Sequence, residues 1–150
     1  MKFSTRRDTE LTADQLFQSI ADFDRLERIL LRRGAAVTRI GTSAAPGPGW
    51  DIGFDWRGRR RDLRLQVVRF NQPEQIAMQG ESEAFELLID LTVVALSRLR
   101  SRLILEADIR PRNMRARLML QTARLGKSQL DKRFDEGAAR LLAELTGLRA

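Results

Sequence analysis

The chain has 150 residues and a formal charge of +7, from 27 Lys and Arg against 20 Asp and Glu, and it contains no Cys, His or Tyr. Those absences exclude disulfides, thiolate nucleophiles and Ser–His–Asp catalysis, and they leave only carboxylates for a zinc site. The size predicts one domain over residues 1–150, large enough to bury a core without staples.

Met1-Lys2-Phe3-Ser4 is not followed by an apolar leader, and no run approaches the length of a membrane span. The expectation is a soluble, cytoplasmic protein. The positive charge is almost all Arg, with Lys only at positions 2, 127 and 132. It favours anionic partners. The dense run Arg57-Gly58-Arg59-Arg60-Arg61 falls where a hairpin turn is predicted and reads first as a solvated turn.

In chain order, Lys2–Leu11 alternates as a first strand, with Phe3, Thr5, Arg7 and Thr9 on one face. Thr12 with Gln15 has capping-box spacing and opens a short helix carrying Leu16, Phe17 and Ile20. Asp22 or Asp24 caps a second, with Leu26, Ile29 and Leu30, which Gly34 ends. Val37–Gly41 reads as a strand and Thr42–Gly49 as a loop.

Trp50, Ile52, Phe54 and Trp56 then alternate strictly with polar positions, and Gly58 turns the chain. Leu63, Leu65 and Val67 alternate in the next strand, which Phe70 ends. Asn71–Glu74 is a turn, followed by Ile76, Met78 and Gly80. Phe85–Leu96 is the most apolar strand, and Leu88, Val94 and Leu96 make its second face partly apolar too. Leu103, Leu105, Ala107 and Ile109 alternate in the last strand.

After Pro111, the run Arg112–Leu148 has helical periodicity. Ala116, Met119, Leu120, Ala123, Leu130, Phe134, Ala138, Leu141, Leu145 and Leu148 share one side, opposite Lys132, Asp135 and Glu136. Gly126 predicts a kink or break, with Ser128 available as a fresh N-cap. A second stripe of Met114, Leu118 and Leu125 lies among Arg115, Arg117 and Arg124. Packing inward after a kink, or burial in a homodimer, is favoured for it over an anionic lipid surface.

Consecutive strands with short connections give an antiparallel sheet, and alternation gives it one buried face. The fold class is therefore α+β: one strand, two short helices, about six antiparallel strands, and a long C-terminal helix packed in the curved sheet. This order resembles the START-like superfamily, also called SRPBCC, with its polyketide cyclase/dehydrase, lipid-transport and birch-pollen-allergen-like members and their helix-grip fold. The likeness runs through Ala13–Leu26, the Pro-Gly loop with Trp50–Trp56, Phe70–Ile76 and Leu130–Leu148. The family's Gly/Asp-rich turn before the last strand is replaced here by Ala95–Arg100.

The resemblance implies a cavity between sheet and helix for an apolar or amphipathic small molecule. Its predicted ligand-binding walls are Trp50, Ile52, Phe54 and Trp56, then Leu65, Met78, Phe85 and Leu87, then Leu103 and Leu105. Met119, Ala123 and Phe134 face them from the helix. Indole N–H groups need a partner when buried. The carboxylates Asp51, Asp55, Asp62, Glu86 and Asp90 point outward, towards arginines such as Arg57, Arg64 and Arg69. No strand position places a carboxylate inside, and no residue is assigned to catalysis, to a metal or to a cofactor.

The leading expectation is non-catalytic binding or transport of a lipid, quinone or polyketide-like compound, with a polyketide cyclase-type enzyme and an interaction module as alternatives. The enzyme question is open, and the missing His, Cys and Tyr lean against it. Specific nucleic-acid binding is disfavoured because the few aromatics sit at core-facing positions.

Overall fold

A computed structural model describes residues 1–41, 46–56 and 58–147. Thr42–Ala45 of the predicted loop, Arg57 of the basic run, and Leu148 at the end of the predicted helix lie outside the described residues. The chain runs β1 (Lys2–Thr9), α1 (Ala13–Ile20), α2 (Phe23–Arg32), β2 (Ala36–Ile40), β3 (Gly49–Trp56), β4 (Arg59–Asn71), β5 (Gln75–Glu81), β6 (Phe85–Ala95), β7 (Ser101–Pro111), α3 (Met114–Ala123) and α4 (Lys127–Thr146). A 3-10 turn at Arg124–Gly126 joins the last two helices.

The seven strands form one antiparallel sheet in the order β1-β7-β6-β5-β4-β3-β2. β2 to β7 follow one another as a meander. β1 closes the far edge against β7, with Phe3 opposite Ala107 and Thr9 opposite Ser101. This is the helix-grip layout.

Local chemistry sets the helix starts. The Gln15 N–H donates to Thr12 Oγ1 at 3.1 Å, and the Thr12 N–H donates to Gln15 Oε1 at 3.0 Å, completing the capping box. The Arg25 N–H donates to Asp22 Oδ1 at 3.1 Å and starts α2. At the β3–β4 turn Gly58 has φ +73°, a left-handed conformation that suits glycine.

The strands' inner faces follow the alternation with one interruption. Between Val67 and Arg69 the β4–β5 register shifts by a bulge. Val68 is left exposed and the inward phase passes from Val67 to Phe70, which lies edge-on to Phe17 at 5.3 Å between centroids. The core gathers Leu16, Phe17 and Ile20 of α1 under Trp50, Val67 and Ile76, with Leu142 closing it from α4.

The terminal helix departs from the expectation in four ways. It begins at Met114 rather than Arg112: Pro111 ends β7 opposite Phe85, and Asn113 caps α3 through the Ala116 N–H at 2.8 Å. The break at Gly126 is present, but Ser128 does not cap; α4 starts at Lys127 with no side-chain cap. The stripe Met114, Leu118 and Leu125 does not turn inward; it is 66%, 57% and 90% exposed. Asp135, expected on the solvent side, is half-buried against β1.

Candidate functional site

The position of α4 decides where the sheet is left uncovered. It packs chiefly on β1, α1 and α2, while α3 packs on β7. Phe134 stacks on Phe3 at 5.3 Å, and the Lys127 ammonium sits 4.4 Å from the centre of the same Phe3 ring. Thr5 Oγ1 donates to Asp135 Oδ1, and Arg7 Nη2 reaches Asp135 Oδ2 at 2.6 Å. These contacts hold the helix over the β1 edge of the grip.

Burial along the inner face follows from this placement. At one end of the strands Trp50, Ile52, Leu65, Val67, Val93 and Leu103 are buried beneath α1 and the end of α4. Towards the other end, Phe54, Leu63, Leu87, Leu105, Ala107 and Ile109 are only half-buried. On β3 the sequence of positions is buried, buried, half-buried, exposed, ending at Trp56 with 44% exposure. The same fall occurs on β4 from Val67 to Arg61, on β6 from Val93 to Phe85, and on β7 from Leu103 to Ile109. β5 alone stays buried, because Gly80 lies on the floor with Leu63 Cδ1 and Leu87 Cβ each 3.2 Å from where its Cβ would stand. The apolar inner face is thus packed at one end and only partly covered at the other, the stretch that forms the candidate groove.

The thirteen predicted wall residues divide along this gradient. Trp50, Ile52, Leu65, Met78 and Leu103 are buried, all within the core. Phe54, Phe85, Leu87, Leu105, Ala123 and Phe134 are half-buried. Trp56 and Met119 are exposed, Met119 at 38%. The groove therefore brings together Phe54, Leu87 and Leu105 from the predicted set, with Leu63, Ala107 and Ile109 beside them.

Three polar features border the groove. Register places Arg61 opposite Phe54, on the inner side. Its guanidinium lies 5.6 Å from the Trp56 ring centre, and its Nε is buried with no hydrogen-bond partner among the described residues. The turn reading of the basic run hid this, although strand parity from Leu63 back to Arg61 was available. The Thr5–Arg7–Asp135 cluster is the second; its signal was the presence of Thr5 and Arg7 on the same strand face as Phe3. The third lies at the packed end. The buried Trp50 indole N–H donates to Glu27 Oε1 at 2.6 Å, and Arg39 Nε donates to the same oxygen at 2.5 Å. Burial works to raise the Glu27 carboxyl, but the hydrogen bonds from Arg39 and Trp50 and the Arg39 charge outweigh it and hold it below the usual glutamate range.

The outer face is different in kind. A depression of about 490 Å³ there is lined by charged groups including Asp51, Asp62, Arg64 and Glu81. Arg64 pairs with Asp51 at 3.0 Å and Arg112 with Glu81 at 2.7 Å, so both arginines there already have carboxylate partners. Among the described residues no group of His, Cys, Asp or Glu could hold a metal ion, and no helix is long and apolar enough to cross a membrane.

No family model matches the sequence, and no curated protein matches it. Solved structures do match in three dimensions. The Zhui aromatase/cyclase from Streptomyces superposes with a TM-score of 0.67 at 13% identity, covering 98% of this chain and 92% of that one. A truncated norcoclaurine synthase from Thalictrum flavum gives a TM-score of 0.68 at 10% identity, covering 97% and 90%. A START superfamily protein from Mycobacterium smegmatis gives 0.58 at 14% identity, covering 88% and 95%. The chain has the START-like, or SRPBCC, helix-grip fold. An aromatase/cyclase and a norcoclaurine synthase share this fold, and at such identities the likeness extends to the fold alone.

Proposed function

We propose that the chain binds a small apolar or amphipathic molecule, a lipid, quinone or polyketide-like compound, in the half-open groove, and holds it without reacting with it. The observation that carries this reading is the parallel fall in burial along β3, β4, β6 and β7 towards one end of the sheet. A core built only for stability would close over those apolar side chains; each one left half-exposed forgoes part of its transfer free energy. Ligand sites are concave and mostly apolar, with a few orienting polar groups. Arg61, whose buried Nε lacks a partner among the described residues, would take an anionic or polar head at the mouth, with the tail along Leu87 and Ile109.

The test is native mass spectrometry of protein purified from its own host, together with titration by a fluorescent fatty-acid analogue. Saturable one-to-one binding that Leu87→Glu weakens at least about tenfold supports the proposal. Binding of the analogue by neither the parent nor any groove variant refutes it.

A cyclase-type enzyme is a second reading, in which the groove positions a reactive chain. It is favoured by the half-buried Asp135, held by Thr5 and Arg7 beside the apolar wall. Turnover of a linear polyketide mimic, lost in Asp135→Asn while the analogue still binds, would select it.

A further inference from the structure

The exposed face of α3 has no explanation in the core or in the groove. Met114, Leu118 and Leu125 fall on one side of the helix, and Ala116, the only buried residue of α3, is on the opposite side. Arg117 and Arg124 flank the stripe on one side and Arg115 flanks it on the other. All three are exposed, and among the described residues none of them forms an ion pair. From Arg112 to Lys127 there is no acidic residue at all.

We infer that this face docks the protein on an anionic lipid surface. An apolar ridge between unpaired arginines matches the acyl boundary and charged headgroups of such a surface: the leucines enter the apolar layer while the arginines stay at headgroup level. A second copy is the less suitable occupant. A two-fold dimer brings the same patch to both sides. It would set Arg115, Arg117 and Arg124 against their own copies with no carboxylate between them.

The open end of the groove lies beside this face. Arg112 at the head of α3 donates to the Ser82 carbonyl in the β5–β6 turn, and the Arg112 N–H bonds Ala84 O at 2.8 Å. β5 ends at Glu81, opposite Arg64, so Arg59–Leu63 and the exposed Trp56 project beyond it at the same end of the sheet. An indole and a basic hairpin tip suit the lipid interface as well. Docking there would let an apolar ligand pass between bilayer and groove without crossing water. That last role rests on the ligand reading above; docking itself does not.

The test is sedimentation with vesicles of phosphatidylcholine alone and of phosphatidylcholine with phosphatidylglycerol at about 3:1, without ligand, across a salt series. The expected result is binding to the anionic vesicles only, weakening as salt rises. Arg115→Gln, Arg117→Gln and Arg124→Gln combined should weaken it roughly a hundredfold, at about fivefold per arginine. Leu118→Asp with Leu125→Asp should weaken it at least about tenfold. Both sites are exposed, and circular dichroism confirms that the variants fold. Equal binding to both vesicle types, binding to neither, or unchanged binding by either variant overturns the inference. So does a dimer that Leu118→Asp dissociates, or binding to duplex DNA tighter than to the anionic vesicles. Because no ligand is present, failure here leaves the groove to be decided separately by the fatty-acid titration.

Discussion

Replacing Glu27 by Ala removes the acceptor of the Trp50 indole N–H, which lies 2.6 Å away in a residue that is 1% exposed. Leaving such a donor unsatisfied costs about 1–3 kcal/mol. The Arg39 pair lost with it is partly exposed, 43% at Arg39 and 24% at Glu27, and adds roughly 0–1 kcal/mol. A loss of about 2 kcal/mol in a chain of this size lowers Tm by roughly 4–8 °C. Urea unfolding followed by far-ultraviolet circular dichroism measures it in both Trp50 and Trp50→Phe backgrounds. In the Phe background no N–H is orphaned, so Glu27→Ala should cost only the Arg39 pair. The cycle should give a coupling of about 1–2 kcal/mol. Acid supplies a further check. Glu27 is held below its ordinary value of 4.5, so its contribution is complete above that pH and is lost as pH falls through the folded value. The gap between parent and Glu27→Ala should therefore narrow in acid. Equal cost in the two backgrounds would falsify the assignment of Glu27 as the indole's acceptor.

Phe134→Ala removes the stack on Phe3 that seats α4, and half-burial of the ring scales the usual loss to about 2 kcal/mol, measurable by urea unfolding. Gly80→Val puts methyl groups where Leu63 and Leu87 already stand 3.2 Å from the first carbon; a cost of about 1–3 kcal/mol and weaker uptake of the fatty-acid analogue are expected. Arg102→Gln removes the hydrogen bond that, against burial and with the charges of Arg102 and Arg100, holds the Asp8 carboxyl below its ordinary value. NMR titration should show that carboxyl moving up, and an unmoved value would assign the shift elsewhere.

The strands were legible because alternation is local. Trp50, Ile52 and Phe54, or Leu103, Leu105 and Ala107, declare a face without reference to the rest of the chain. The capping box at Thr12 and Gln15 is local in the same way, and so is the break at Gly126. Alternation cannot say how far along a strand the cover extends. That depends on where α1 and α4 settle, through pairs such as Phe3 with Phe134 and Thr5 with Asp135, which are more than a hundred residues apart. Hence the inward face was readable, while the division between packed Trp50 and half-buried Phe54 was not. The same cause hid Asp135: a helical wheel assigns it to solvent until β1 arrives with Thr5 and Arg7. Met119 shows the remaining ambiguity. It lies between the two stripes of α3, and only the docking of the helix on β7 decides that it stays exposed.

The two halves of the terminal helix are secured very unequally. α4 is fastened by Phe134, Leu142 and Leu145, whereas α3 has a single alanine tucked away and a glycine-ended 3-10 turn behind it. Segments with so little interior contact unravel and re-form while the remainder of a molecule stays intact. Amide hydrogens of residues 117–123 should accordingly exchange with deuterium well before those of residues 138–145. Local opening of α3 between Asn113 and Gly126 should therefore leave the sheet, α1 and α4 in place.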